Sequence, residues 1–348
     1  MKEYKIAAVP GDGIGHEIIK AGIRVLDATA ARNSFDFHFE SFPFGSGYYK
    51  ETGTFMPENA LEELKKYDAI FFGGIGLPDV DDSLPAKEYT FKVRNNFKQY
   101  VNYRPSRSFP GVQSPLRANK KIDFVVVREN NEGEFSQIGG QYMPHFQEGY
   151  GIDVSVFSRK GIERIAHYAF KLARKRRKLV TAVTKSNTLI HSLTYWDQVI
   201  REVSVEYQDV KLEYMYIDAT SANFVLKPDH FDVVLTTNLF GDILSDLGGA
   251  LMGSLGLGGS GNINPEKEFP SMFEPIHGSA PDIAGKGIAN PVGTIWSAVM
   301  MLEHLGEPEA AEQLMNALDE TCADGIVTPD LGGSETTDSV ADAVIMRL

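Results

Sequence analysis

The sequence predicts an α/β protein of two domains, and three observations carry that expectation. Short β-rich runs alternate with stretches of helical period. The runs at 4–9 and 68–72 end in glycine loops, where open α/β sheets turn toward a ligand. The chain has 348 residues, more than one ordinary domain on a prior of about 150 residues each.

Composition narrows the function classes. Hydrophobic residues make up 43% and charged residues 23%, as in ordinary globular chains. A net charge of −13 argues against a general nucleic-acid or anionic-membrane surface. No apolar run approaches the roughly 20 residues that span a bilayer. The N-terminal residues enter a strand without a signal-peptide pattern, and Cys322 is the single cysteine. A reducing, cytoplasmic location is the expectation.

The first unit is a strand at 4–9, a turn Gly11-Asp12-Gly13-Ile14-Gly15, and a helix near 16–31. The turn fails the dinucleotide fingerprint, because the sixth position of G-x-G-x-x-G is His16. Its glycines are expected to let a tight turn approach a ligand. A strand at 35–41, a helix at 57–66 and a strand at 68–72 follow, the last ending in Gly73-Gly74-Ile75-Gly76. Arg94 falls on a helix at 87–98. Arg104 and Arg107 follow it, and Arg128 ends a strand at 123–127. In an acidic chain, arginines at strand ends suit a bidentate grip on carboxylates, although each alone also suits a surface ion pair.

Residues 137–153, rich in Gly, Gln and Tyr, read as a protruding hairpin or arm. The helix at 159–177 ends in Arg174-Lys175-Arg176-Arg177-Lys178, which suits the negative end of the macrodipole. Lys185 ends a strand at 179–184, where burial or a nearby cation would make it a base. Asp218 ends a strand at 211–217. After a buried strand at 232–236, Asp242 and Asp246 share one helical face. Their mutual repulsion would be relieved by a divalent ion with oxygen ligands; a solvated acidic face is the alternative. The run continues through Leu251, Leu255 and several glycines as a small-residue helix. Residues 274–291 are too rich in Gly, Pro and Ala for one helix and read as a long functional loop. Helices near 291–305, 307–322 and 336–346 close the chain.

Six ordered motifs now stand together: Gly11–Gly15, Asn102-Tyr103-Arg104-Pro105, Val127-Arg128-Glu129-Asn130, Thr184-Lys185-Ser186-Asn187, Asn238 to Asp246, and His277-Gly278-Ser279-Ala280-Pro281-Asp282. Over essentially the whole chain this set resembles the isocitrate/isopropylmalate dehydrogenase family, the β-decarboxylating dehydrogenases. The segments 128–134 and 328–333 look most like its tartrate and D-malate branch.

The resemblance implies an α/β, isopropylmalate-dehydrogenase-like, two-domain fold that is not a Rossmann unit, with a mixed sheet flanked by helices. Residues 1–98 with 252–348 would form the NAD-binding domain. Residues 99–251 would form the dimerisation, metal and substrate domain. The family also implies a homodimer with active sites shared between subunits. By position, Arg94, Arg104 and Arg128 match the arginines that hold the substrate carboxylates. Thr90 lies in the segment before them that differs between substrate classes. Asp242 and Asp246 match ligands of Mg2+ or Mn2+, and Asp218 matches the ligand given by the other subunit. Lys185 matches that subunit's catalytic lysine. Asn187 matches a residue near the nicotinamide. Glu274, His277, Gly278, Ser279, Ala280, Asp282 and Asn290 belong to the matching NAD loop, with Asp282 facing the adenosine ribose.

The implied activity is NAD- and metal-dependent oxidation, with β-decarboxylation, of a small 2-hydroxy dicarboxylic acid of tartrate or D-malate type. An isopropylmalate or other alkylmalate substrate is the alternative within the class, and a non-catalytic regulatory subunit the alternative outside it. One position departs from the family. Its tyrosine acid falls seven residues after Arg128, where this chain has Phe135. Phenylalanine has no proton to donate, which leaves water or Tyr142 of the arm.

Overall fold

β1 (Lys2–Val9), its glycine turn and α1 (Gly15–Ala30) form the first strand–turn–helix unit. The computed structural model describes residues 2–116 and 120–348. β2 (Phe35–Ser41), α2 (Ser46–Thr52), α3 (Ala60–Leu64) and β3 (Ala69–Phe72) continue the alternation. A single turn, α4 (Ser83–Pro85), and a π-helical turn over Ala86–Thr90 lead into α5 (Phe91–Asn96). Then come β4 (Val101–Arg107), β5 (Asp123–Glu129), and the hairpin of β6 (Gly139–Tyr142) and β7 (Tyr150–Asp153). α6 (Arg159–Arg174), β8 (Leu179–Thr184), α7 (Ser192–Ser204), β9 (Lys211–Tyr216) and α8 (Ile217–Leu226) follow. β10 (Val233–Thr236) feeds α9 (Asn238–Met252). β11 (Gly259–Ile263), β12 (Ser271–Pro275), α10 (Val292–Leu305), α11 (Pro308–Ala323) and α12 (Thr337–Arg347) complete the chain.

The sheet has ten strands in the order β2-β1-β3-β12-β11-β4-β5-β10-β8-β9. It is mixed, as expected. β11 is antiparallel to both its neighbours, β4 and β12, and β4 is also antiparallel to β5, while the outer strands pair parallel. Both faces carry helices, so strands such as β3 and β10 are buried at every position. One apolar core joins α1, α10, α11 and α12 to β1 and β3, and a second gathers Tyr100 to Leu251 around β5, β8 and β10.

Four local expectations differ from the structure. The helix at 57–66 shortens to α3, because Pro57 opens a turn whose carbonyl accepts from Ala60. The helix at 87–98 divides into the π-helical turn and α5, and Lys98 leaves with φ +47°. Asp218 stands in the first turn of α8 rather than at a strand end. The small-residue helix stops at Met252, and after one turn at Leu255–Leu257 the chain becomes β11. The glycines there serve close packing. A Cβ on Gly258 would fall 2.3 Å from Ile276 Cδ1, and one on Gly259 would fall 2.8 Å from Met300 Cε of α10.

The residues that bear on function collect where parallel strands end. β5, β8 and β10 point their carboxyl ends one way and β1, β3 and β12 the other, because direction reverses at β12–β11, β11–β4 and β4–β5. Arg128 and α9 lie at the carboxyl ends of β5 and β10, the usual ligand edge of parallel strands.

Candidate active site

Arg128 is the last-but-one residue of β5 and is 2% exposed. Its guanidinium is held twice from α9. Nε donates to Asn238 Oδ1 at 2.8 Å, and Nη1 donates to Asp242. Arg104, in the middle of β4, donates from Nη1 to Ser245 Oγ at 2.9 Å and lies 3.6 Å from Asp246 and 3.9 Å from Asp242. Its strand alternation puts Asn102, Arg104 and Ser106, all buried, on the face toward α9. Arg94, on α5, donates to Glu274 Oε1 of β12 at 2.9 Å. Arg104 and Arg128 therefore converge with Asp242 and Asp246, and Arg94 acts on Asp242 through its charge while bonded to Glu274.

α9 can approach so closely because of Gly241. A Cβ there would fall 2.4 Å from Thr236 Oγ1 and 2.5 Å from Arg128 Cβ.

The charges set one another. Burial pushes the Arg128 guanidinium down to about 10, with Asp242 opposing, so it stays charged at neutral pH. Burial lowers Arg94 too, and Glu274 opposes it. Burial alone would raise Asp242, but Arg128 and Arg104 outweigh it and hold this carboxyl below its ordinary value. Asp246 is raised, chiefly by burial, and Arg104 compensates only in part. Two neighbouring carboxyls thus differ in basicity because one arginine reaches one of them directly.

Several atoms around the arginines are left without partners. Arg94 Nε and Arg104 Nε are buried and make no hydrogen bond. Unused donors on converging guanidinium groups fit an anionic ligand with more than one carboxylate. The oxygen-only set of Asp242 and Asp246 fits a hard divalent cation. Among the described residues no three His, Cys, Asp or Glu side chains of one chain form a metal-holding group.

Lys185 and Asp218 form a separate pair. Lys185 follows β8, and its Nζ lies 2.6 Å from Asp218 Oδ1. This bond holds the Asp218 carboxyl below its ordinary value. No hydrogen bond or ion pair among the described residues joins the pair to the arginines. Asn187 is exposed two residues further on.

Phe135 faces the arginine cluster. Its ring centre lies 5.5 Å from the Arg128 guanidinium carbon and 6.0 Å from the Phe91 ring. Thr90 closes the π-helical turn one residue before α5 and is half-buried.

The loop after β12 is a second centre. Glu274 is not free within it; its carboxylate is taken by Arg94 and by Asn262 Nδ2 at 2.6 Å. His277 Nδ1 contacts the Gly278 carbonyl, while its Nε2 is buried without a partner. Burial lowers the His277 pKa and keeps the ring neutral. Gly278 has open space on its Cβ side. Ser279 Oγ donates to Gly76 O at 2.6 Å, and Ala280 holds φ +37°. Asp282 is exposed and has no hydrogen-bond partner among the described residues. Asn290 donates to Asp330 at 2.9 Å. An orphan imidazole nitrogen, a bare glycine and a free carboxylate fit the polar and flat parts of a nucleotide.

Residues the sequence reading gave no role do much of the holding. Asn238 and Ser245 orient Arg128 and Arg104. Asn262 bridges Glu274 and the amides of Asn102 and Asn130, at 3.0 and 2.9 Å. Glu134 accepts from Thr237 Oγ1 at 2.9 Å and from Leu239 N at 3.1 Å, which pins the start of α9. Asn102 and Asn262 in strands and Asn130 just after β5 were the available signal for the buried amides, since buried amides need partners.

Comparison with known proteins agrees with this geometry. A family model described as isocitrate/isopropylmalate dehydrogenase matches residues 5–344. A probable tartrate dehydrogenase/decarboxylase of Agrobacterium vitis is 52% identical, over 99% of this chain and 97% of that protein. The decarboxylating D-malate dehydrogenase of Escherichia coli is 48% identical, over 99% of this chain and 98% of its own length. The tartrate dehydrogenase/decarboxylase of Pseudomonas putida is also 48% identical, over 98% of this chain and 96% of its own. The crystal structure of an isocitrate dehydrogenase from Methylococcus capsulatus superposes with a TM-score of 0.89 at 38% identity, covering 99% of each chain.

Proposed function

The chain belongs to the isocitrate/isopropylmalate dehydrogenase family, and from that premise we propose that it oxidises and decarboxylates a 2-hydroxy dicarboxylic acid of D-malate or tartrate type, with NAD and Mg2+ or Mn2+. The observation that carries the reading is the gathering of Arg104 and Arg128 on Asp242 and Asp246, with Arg94, held by Glu274, close enough to act on Asp242 through its charge. A small dicarboxylate with a hydroxyl matches that set, and the 48% identity to a D-malate enzyme and to a tartrate enzyme favours those substrates.

When bound, the divalent ion would supply Lewis acidity and NAD a hydride acceptor. The chain's own residues do the rest. Arg94, Arg104 and Arg128 hold the carboxylates in one orientation, each braced in turn by Glu274, Ser245 and Asn238. Asp242 and Asp246 hold the cation, with the partner subunit's Asp218 as third ligand. The partner subunit's Lys185 takes the hydroxyl proton. Glu274 and the partner subunit's Asn187 would hold the nicotinamide end of NAD, and His277 to Ala280 the adenosine end, with Asp282 available to accept from the ribose diol and Asn290 closing the loop. A carboxylate at that position disfavours a 2′-phosphate, hence NAD over NADP.

The shared site calls for a homodimer, and apolar exposure supports it. Phe146 of the arm is 63% exposed and Leu226 of α8 is 60% exposed. Exposed apolar groups of this size mark association surfaces. In this arrangement residues 1–98 with 252–348 form the coenzyme domain and residues 99–251 form the dimerisation domain.

The test is kcat/KM for D-malate, tartrate and isopropylmalate with NAD+ and Mn2+. D-malate or tartrate leads the series if the reading is right; a lead for isopropylmalate overturns the substrate assignment.

A further inference from the structure

We propose that Asp12 is a positioning residue for the coenzyme loop: its buried carboxylate fixes the floor on which residues 277–290 rest. The inference rests on the reading of that loop as the NAD site and adds a residue on which the loop's shape depends.

Asp12 is 4% exposed and has no cationic partner among the described residues. Instead its carboxylate gathers three backbone N–H groups from two separate stretches. Oδ2 accepts from Ser46 at 2.8 Å and Gly76 at 2.9 Å, and Oδ1 accepts from Gly47 at 3.0 Å. Its own N–H donates to Gly74 O at 2.9 Å. One side chain thus ties the turn after β1 to the start of α2 and to the glycine loop after β3. Charge-assisted bonds to a buried carboxylate are among the stronger ones, and a missing partner there is costly.

The tie reaches the coenzyme loop through Gly76. That residue donates its N–H to Asp12 and accepts Ser279 Oγ on its carbonyl at 2.6 Å. Ser279 is held a second time, because its own carbonyl accepts from Ile14 N at 2.8 Å. Ile14 and Ile18 then pack against Ala280, Ile283 and Ala284. The glycines of the turn serve these contacts. A Cβ on Gly11 would stand 2.0 Å from Gly74 O, and one on Gly13 would stand 2.0 Å from Ser279 O. The sequence reading expected these glycines to approach a ligand; in the structure they approach the two loops that Asp12 anchors.

Ala280 shows why anchoring matters. Its φ of +37° is uncommon for a residue with a side chain, and such a conformation persists where its surroundings over-determine it. Without the Asp12–Gly76–Ser279 chain the loop relaxes toward ordinary angles, and coenzyme binding must then order it, which costs affinity.

The experiment measures NADH affinity by fluorescence on the full-length protein, alongside KM and kcat, for Asp12→Asn, Ser279→Ala and the double variant. Asparagine is nearly isosteric but presents an NH2 group to backbone donors. Each single change is expected to weaken NADH binding about tenfold, the size of one net hydrogen bond, and to raise KM for NAD+ in parallel. For Asp12→Asn, kcat and KM for the hydroxy acid should stay within about twofold, while Ser279→Ala, within the coenzyme loop itself, is read by NADH affinity alone. The double variant should lose less than the product of the two, because both changes act on the Gly76 peptide. Unchanged NADH affinity in Asp12→Asn, or an equal fall in kcat and hydroxy-acid affinity, overturns the proposal. If Asp12→Asn yields too little folded protein, Asp12→Glu, which keeps the charge but shifts the acceptors by one methylene from the Ser46, Gly47 and Gly76 N–H groups, decides on the same criterion. Asp282→Ala separates the two readings: NADH affinity lost there but kept in Asp12→Asn removes only the role of Asp12, whereas affinity kept in both removes the coenzyme loop itself.

Discussion

Phe135 places an inert ring where the family resemblance expects an acid, and the structure puts that ring beside Arg128 rather than away from the site. Protonation of the enol carbon therefore falls to water or a less well-placed group. Positioned acids contribute about 10²–10⁴-fold, so Phe135→Tyr should raise the steady-state rate at least about tenfold while the single-turnover NADH burst changes little. No gain in turnover would mean that another group already donates. A second residue-level expectation concerns Arg128. Lysine cannot satisfy Asn238 and Asp242 together and still present a fork to substrate. Arg128→Lys should lower kcat/KM about 10²-fold, the cost of a charge-assisted bidentate contact at roughly 3 kcal/mol. A loss below about threefold would show that Arg128 does not touch substrate. Arg128 and the aspartates were legible in the sequence because a charge stood at a strand end and two shared one helical face, whereas Arg94 and Arg104 were legible only through the motifs around them. Their supports, Asn238, Ser245 and Asn262, were not. A polar residue's partner lies far along the chain, 110 positions away for Arg128 and Asn238, and local pattern carries no record of it.

At the scale of the element, α9 is the member on which the others depend. Its approach to β5 and β10 requires Gly241. Gly241→Ala forces a methyl into Arg128 and Thr236, and overpacking of this kind costs about 1–3 kcal/mol. Thermal unfolding should show a lower Tm and KM for the hydroxy acid should rise; an unchanged pair would mean that the helix can shift without loss. α1, α6 and α11 were legible because their apolar faces repeat, and α10 because it is a long apolar run, buried at every position from Val292 to Leu302. β4, β11 and β12 were not, since β4 carries two arginines and a proline and β11 is mostly glycine, serine and asparagine. The basic run at 174–178 was assigned to the helix end. The structure adds specific partners: Arg174 grips Asp209, Arg176 bridges Asp123 and Asp232, and Arg177 reaches Asp123. Burial alone would raise the Asp123 carboxyl, but Arg176 and Arg177 outweigh it and hold it below its ordinary value. A pKa depressed by folding contributes stability above the unfolded value, near pH 4, and that contribution is lost as pH falls through the folded value. Asp123→Asn should therefore lower the denaturant midpoint at pH 7, by about 1 kcal/mol or less for a half-exposed pair. The gap should close below about pH 4; a gap that persists in acid would mean that charge is not its cause.

At the scale of the molecule, one continuous sheet carries two apolar cores, and the arginine cluster sits where β4, β5, β12 and α9 meet between them. Lys185 and Asp218 bond to each other and, among the described residues, to no member of that cluster, which fits the proposal that a second subunit supplies them. Subunit mixing tests this arrangement. Homodimers of Asp218→Asn and of Asp242→Asn should each be inactive, and refolding the two together should restore activity, because one site of the mixed dimer keeps both carboxylates. Mixed dimers that stay inactive would place the two aspartates in one chain's site. The central claim is that this chain is a metal-dependent dehydrogenase of D-malate or tartrate rather than a fold without chemistry. The direct measurement is NADH formation by the purified protein with D-malate or tartrate and NAD+, first stripped of metal with EDTA and then resupplied with Mn2+. The account predicts no NADH from the stripped protein and its return with Mn2+; equal rates in both conditions, or no NADH from either acid with Mn2+ present, would contradict it.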